Sequence, residues 1–131
     1  MIIVPDIDAT VGAIHETFRA LQVLELAAVG EVKARAAAAL GVWIVFVRRA
    51  AEAAGTARRS RARVDALESV GRVQPAAVER AKLDALALRL GAVAAAFDAA
   101  YRQLLTAFAA SARDTRCTYP RPAVQSWTGT A

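Results

Sequence analysis

The chain is poor in the residues that build metal and redox sites. It has one cysteine, Cys117, and one histidine, His15, among 131 residues. A lone cysteine excludes an internal disulfide framework and a cysteine-based zinc cage, and a lone histidine excludes a multi-histidine metal site within one chain. The sequence therefore predicts neither a metal nor another cofactor.

Catalytic patterns are also missing. The seven glycines never fall at the spacing of a phosphate-binding loop, and the serine, histidine and aspartate residues form no family motif. Cys117 follows Arg116, whose charge favours a thiolate, but no base and no second cysteine accompany it. His15 lies on the polar flank of the first helical stripe, which is the place of a solvated residue. We expect a protein that is not an enzyme.

Apolar residues dominate what is present. Hydrophobic residues make up 56% of the chain, and 34 of them are alanine, a strong helix former. The composition predicts an all-α fold, a helical bundle or long helical hairpin with an extended C-terminal tail. We expect an extended stub over residues 1–5, one bundle domain over residues 6–113, and the tail over residues 114–131.

Charge is distributed unevenly along the chain. The net charge is +5, but residues 1–31 carry −4 and residues 32–63 carry +7. Such polarity can attract an acidic partner, or the two segments can face each other within one subunit or between neighbours. Both interpretations stay open from the sequence alone.

The first helix is predicted from an apolar stripe that Asp6 or Asp8 can cap. Two helices are usually connected by at least two residues, and a lone glycine is too short for such a loop. We therefore expect this helix to run through Gly30, kinked or straight, to about Ala54. Glu25 continues the stripe, so we expect it to face the core and pair with an arginine. The stripe consists of Ile7, Val11, Ile14, Phe18 and Leu21.

The longest apolar run is Ala36–Val47, and it contains the strand-like segment GVWIVFV. Its helical flanks favour a helix over a strand. A helix that is apolar on every side must be buried on more than one side, so this segment is either a central bundle helix or an oligomer contact. We expect Trp43 and Phe46 to be oligomer or partner contacts that are largely buried once all subunits are counted. Twelve residues are too few for a bilayer span, so integral membrane insertion is not expected, although a membrane-associated helical protein remains an alternative.

A break is predicted at Gly55–Thr56, followed by a short basic helix over residues 57–70. Its arginines Arg58, Arg59, Arg61 and Arg63 can contact an anionic partner such as phosphate backbone. No aromatic residue interleaves them, so nucleic acid binding would be non-specific. A solvated or acid-facing helix explains the same run.

The clearest boundary is at Gly71–Pro75, where glycine suits a left-handed cap and proline suits a first turn. We expect a tight reversal there, with residues 75–113 antiparallel to the preceding helices. The apolar spacing of the last helix is regular, with Leu88, Tyr101, Leu105 and Phe108 widening its stripe. That stripe consists of Leu83, Leu86, Leu90, Val93, Phe97, Ala100, Leu104 and Ala107.

The predicted tail has two prolines and no helical period, so its order must come from a partner. Tyr119 and Trp127 are the expected anchors, because aromatic residues are enriched at interaction hot spots. A helical bundle followed by an extended tail resembles the layout of head-to-tail adaptor subunits of tailed phages. The resemblance is one of layout and no motif carries it.

The sequence thus predicts a non-enzymatic structural or assembly subunit, cytoplasmic or particle-associated, since MIIVPDID lacks the basic start of a secretory signal. It would form a homo-oligomer and bind at least one other protein, as a component of a virion or another particle would. The alternatives are a small basic protein that binds nucleic acid or an anionic surface through residues 48–63, and the membrane-associated protein.

Overall fold

A computed structural model describes residues 3–118, with side chains described as far as residue 113. These residues form three helices: α1 (Ile7–Ala27), α2 (Gly30–Ser69) and α3 (Val73–Thr118). The predicted all-α bundle is confirmed, and α2 with α3 makes the long helical hairpin. In the described part of the chain, no helix combines the length and the apolar character that a membrane span requires.

Helix α1 forms where the sequence predicts it. The Asp6 carboxylate accepts a 2.9 Å hydrogen bond from the backbone N–H of Ala9, which satisfies one of the free donors of the first turn. All five residues of the predicted stripe are buried, so the stripe is the inward face of the helix. Leu24, and not Glu25, continues it into the core.

The prediction of one helix through Gly30 is wrong. Helix α1 ends at Ala27, and extended backbone at Ala28 and Val29 leads into α2. Gly30 has a φ of +63°, in the left-handed region that residues with a side chain avoid. Lys33 on α2 links the start of that helix to the end of α1. Its Nζ lies 2.9 Å from both a carboxylate oxygen and the backbone carbonyl oxygen of Glu25.

The predicted break at Gly55–Thr56 is also wrong, because α2 runs uninterrupted for 40 residues. Ala54 and Ala57, on either side of the glycine, are buried in the bundle. Their packing outweighs the helix penalty of Gly55, which is about 1 kcal/mol relative to alanine. Residues 41–47 are helical, so the choice of a helix over a strand is confirmed.

The reversal at Gly71 is confirmed. Gly71 has a φ of +76° and donates its backbone N–H to the carbonyl oxygen of Glu68, while the N–H of Arg72 reaches Leu67 at 2.9 Å. This pair of bonds is the Schellman motif, which satisfies the last carbonyl groups of a helix. Pro75 lies in the first turn of α3, as predicted.

Helices α2 and α3 are antiparallel, and α1 packs against both. Residues spaced seven apart line the inward face of each long helix, which keeps the two helices in contact over their length. On α2 these are Ala36, Trp43, Ala50, Ala57 and Val64, and on α3 they are Leu83, Leu90, Phe97 and Leu104. Leu88 and Leu105, expected to widen the stripe of α3, are instead 42% exposed.

The predicted boundary of the tail is wrong as well. Helix α3 continues to Thr118, so residues 114–118 belong to the helix and not to an extended segment. Residues 3–5 precede α1 without regular structure, and residues 1–2 of the predicted stub lie outside the described residues.

Candidate binding groove

A groove of about 570 Å³ lies between α2 and α3, and no residue of α1 contributes to it. We call it the α2–α3 groove. Its floor is apolar and its walls are charged. It is lined by Arg49, Glu52, Ala53, Thr56, Ala57, Arg59, Ser60, Arg63, Glu79, Lys82, Leu83, Leu86 and Arg89.

The spacing of the sequence brings these side chains together. Residues seven apart lie two helical turns apart on the same side of a helix. Arg49, Thr56 and Arg63 follow this spacing on α2, and Lys82 and Arg89 follow it on α3. Each wall therefore presents a row of polar and cationic groups beside the apolar residues of the hairpin interface.

Glu79 is the buried carboxylate of the groove, with 11% of its side chain exposed. The Ser60 hydroxyl donates a 2.6 Å hydrogen bond to it, and an Arg63 guanidinium nitrogen lies 3.3 Å and the Lys82 ammonium 3.5 Å from its other oxygen. The Ser60 hydrogen bond, together with the hydrogen bond of Arg63 and the charges of Arg63 and Lys82, lowers the pKa of Glu79 against the opposing effect of burial. The carboxylate is therefore ionised and already has its partners.

Three groove cations have no carboxylate partner in the described part of the chain: Arg49, Arg59 and Arg89. Arg59 donates to the Thr56 hydroxyl at 3.2 Å, which is a neutral acceptor. The groove holds five cations against two carboxylates, Glu52 and Glu79. It is therefore cationic overall, even after the Glu79 cluster is satisfied.

The four arginines predicted to contact an anionic partner do not share one surface. Arg61 forms an ion pair with Asp8 on α1 at 3.6 Å, whereas Arg63 forms an ion pair with Glu79 on α3. Arg59 and Arg63 line the groove, but Arg58 and Arg61 do not. The acidic and basic segments thus face each other within the chain at one ion pair, between Asp8 and Arg61.

The two predicted contact aromatics on α2 lie in different surroundings. Trp43 is 7% exposed and stacks on Phe97, so packing within the chain covers it. Phe46 is 36% exposed and touches Phe97 edge-on. Val42 and Val45 beside it are 58% and 44% exposed. We call Val42, Val45 and Phe46 the apolar strip.

Glu25 pairs across the connection with Lys33, and not with an arginine as expected. Its side chain is 22% exposed, so the carboxylate lies at the edge of the core and not inside it. His15 is half-buried on α1. The described residues contain no group of three or more histidine, cysteine, aspartate or glutamate side chains placed to hold a metal ion. Tyr119 and Trp127 lie outside the described residues.

The sequence analysis included Arg49 in the basic segment 48–63, but it did not single out the groove residues Glu79, Lys82 and Arg89. A signal for Glu79 was present, because extending the stripe of α3 back by one turn from Leu83 reaches it. The placement of Arg49 opposite Arg89 had no such signal, since it depends on how α2 aligns with α3. As a set, the lining residues offer hydrogen bonds, positive charge and an apolar floor, which suits binding.

No protein-family model matches the chain, and comparisons with curated proteins and with solved structures found no similar protein or fold.

Proposed function

We propose that this protein is a non-enzymatic assembly subunit that self-associates through the outer face of α2. The observation that carries the proposal is the apolar strip, where three large apolar side chains lie together on the surface of a long helix. Scattered apolar residues are normal on protein surfaces, but a contiguous group marks an interaction site. The partner at this strip is a second copy of the chain.

The charges around the strip support a second copy as the occupant. Positions 31, 38, 45, 52 and 59 lie seven apart along α2, so they share one side of the helix. If two copies pair antiparallel about Val45, Glu31 of one copy meets Arg59 of the other at both ends of the interface. Neither side chain has an oppositely charged partner within the described part of its own subunit. The pattern is therefore self-complementary, as a two-fold interface requires.

The favourable free energy of dimerisation comes mainly from burial of the apolar strip. Fully burying a large apolar side chain contributes about 1.5–3 kcal/mol, and these three side chains are about half-exposed before pairing. Six such side chains from two copies would cover part of the cost of association. We place the docking of a second protein elsewhere, on Tyr119 and Trp127 in the segment beyond Thr118.

Sedimentation equilibrium of the full chain tests self-association. Val45→Glu places a charge in the strip and should convert the dimer to a monomer. Val23→Glu is the matched control, because Val23 is 66% exposed on α1 and the substitution changes the same residue type and charge. A monomeric wild type, or loss of association in both variants, would exclude the strip as the interface.

A charge exchange tests the antiparallel arrangement. Arg59→Glu should weaken the dimer, because it sets two carboxylates against each other at each end of the interface. Adding Glu31→Arg to that variant restores opposite charges and should recover the wild-type association constant. If the double variant is as weak as the single one, the two residues do not face each other.

A further inference from the structure

We infer that the α2–α3 groove is a binding site for an organic phosphate monoester, with the phosphate between Arg49 and Arg89 and an apolar body on the groove floor. This goes beyond self-association, because it assigns a ligand to the cationic walls of the groove and not to the apolar strip.

The charge of the groove favours a phosphate. Arg63 and Lys82 already neutralise Glu79, which leaves Arg49, Arg59 and Arg89 against Glu52 in the groove. A phosphate monoester carries between one and two negative charges near neutral pH, which suits the remaining positive charge. Arginine binds phosphate oxygens through two parallel N–H donors, so two free arginines can hold one phosphate from both sides.

The positions of Arg49 and Arg89 favour a shared ligand. Two contacts define the register of the antiparallel helices. Trp43 stacks on Phe97, and Ser60 forms a hydrogen bond with Glu79. At this alignment Arg49 on α2 and Arg89 on α3 lie at nearly the same level, on opposite walls. Their long side chains can therefore converge on a ligand that enters between them.

The apolar floor of the groove favours an organic ester. Ala53, Leu83 and Leu86 line the groove between the charged walls. Pockets for small ligands have volumes of about 300–1,000 Å³ and combine an apolar lining with a few placed polar groups. The groove falls within this range, so it can accept an apolar body as well as the phosphate.

A second copy paired on α2 would cover part of the same groove. Ligand binding and self-association should therefore compete, and the ligand should raise the dissociation constant of the dimer. Val45→Glu separates the two proposals. It removes the dimer but leaves Arg49, Arg89 and the floor in place, so it should still bind the ligand.

The test is a titration of the full chain with 1-naphthyl phosphate, followed by methyl NMR signals of Ala53, Leu83 and Leu86. We expect saturable shifts, and at least about a tenfold weaker affinity in Arg49→Gln and in Arg89→Gln. Arg19→Gln is the matched control, because Arg19 is exposed on α1, away from the groove. Its affinity should equal that of the wild type.

Absence of saturable shifts would overturn the assignment. So would an equal loss of affinity in Arg19→Gln, because attraction would then depend only on total charge. Inorganic phosphate should bind more weakly than 1-naphthyl phosphate, and equal affinities would overturn the role of the apolar floor.

A phosphate monoester can come from solution or from a lipid headgroup, and a second arm distinguishes them. Co-sedimentation with phosphatidylcholine vesicles that contain phosphatidic acid, lost in Arg89→Gln but kept in Arg19→Gln, would identify the lipid as the source. Saturable binding of 1-naphthyl phosphate without co-sedimentation would identify a free ester. Failure of both arms would overturn the site.

Discussion

Trp43 on α2 and Phe97 on α3 stack face to face, with ring centroids 4.2 Å apart and planes tilted by 11°. Both side chains are at least nine-tenths buried, at 7% and 6% exposure. The edge of Phe46 meets the same Phe97 ring at 5.8 Å. Phe97 is therefore the shared partner of two aromatic side chains, and it joins the two long helices near the middle of the bundle.

The first prediction concerns this stack. Phe97→Ala leaves a cavity beside Trp43 and should lower the free energy of unfolding by about 3–5 kcal/mol. Phe46→Ala should cost clearly less, because Phe46 is partly exposed in the subunit. Urea denaturation followed by circular dichroism measures both, in the Val45→Glu background so that association does not contribute. Equal losses would show that Phe46 is a core residue.

The second prediction concerns two glycines of opposite effect. Gly71→Ala should destabilise the protein by about 1–2 kcal/mol, because a side chain disfavours the left-handed conformation. Gly55→Ala should stabilise it by about 0.5–1 kcal/mol, since Gly55 lies inside α2 and its added methyl group would meet only the flexible ends of Arg59 at 3.6 Å and Arg58 at 3.9 Å. Thermal unfolding compares the two variants. A lower melting temperature for Gly55→Ala would contradict the continuous helix.

The third prediction concerns acid stability and Glu79. Because the folded protein lowers the pKa of Glu79 from the ordinary 4.5, the ionised carboxylate favours the folded state above that value. This stabilisation is lost as pH falls through the lowered folded pKa. Glu79→Gln should therefore lose less stability than the wild type between about pH 5 and about pH 2. Urea midpoints across this range measure the difference.

Glu16→Gln is the control for this experiment, since Glu16 is exposed on α1 and removal of its charge leaves the Glu79 cluster intact. It should keep the wild-type acid dependence. If Glu79→Gln follows the wild-type curve as well, the bonds from Ser60 and Arg63 do not favour the ionised form.

The fourth prediction concerns the segment beyond Thr118. Deleting residues 119–131 should leave the helix content and the unfolding midpoint unchanged, because the last core residues in the described part of α3 are Leu104 and the adjoining Phe108. The same deletion should abolish binding to the second protein partner, whose anchors we place at Tyr119 and Trp127. Circular dichroism measures the first effect. A large loss of stability would assign the segment to the core of the subunit.

Local sequence signals predicted the helices correctly where the apolar pattern and the capping residues indicate the same helix boundary. The stripe from Ile7 to Leu21 and the cap at Asp6 predicted α1, and Gly71 followed by Pro75 predicted the reversal. The same signals failed at Gly30 and Gly55, which both lie among strong helix formers. Only the packing of Ala54 and Ala57 inside the bundle carries the helix through Gly55, and no local pattern records that burial.

The candidate groove was less predictable than the fold for the same reason. Breaking α2 at Gly55 separates Arg49 from the segment that faces Glu79, so the mistaken boundary also hid the groove. Arg58, Arg59, Arg61 and Arg63 are close in sequence, but successive residues on a helix point in directions about 100° apart. A run of charge along a helix therefore did not indicate a single charged surface.

The polar cluster at Glu79 has a consequence for the alignment of the hairpin. The apolar rows of α2 and α3 both repeat every seven residues, so a slip of α3 by one repeat would still bring apolar rows together. Such a slip would carry Glu79 away from Ser60 and set it opposite Ala53 or Leu67, neither of which can donate a hydrogen bond from its side chain. Lys82 lies on the same helix and would move with Glu79, but the nearly buried carboxylate would lose its hydrogen bond from Ser60 and its ion pair with Arg63, which is costly. Glu79 thus disfavours the slipped registers that the apolar residues tolerate, and it favours one register for two otherwise repetitive helices.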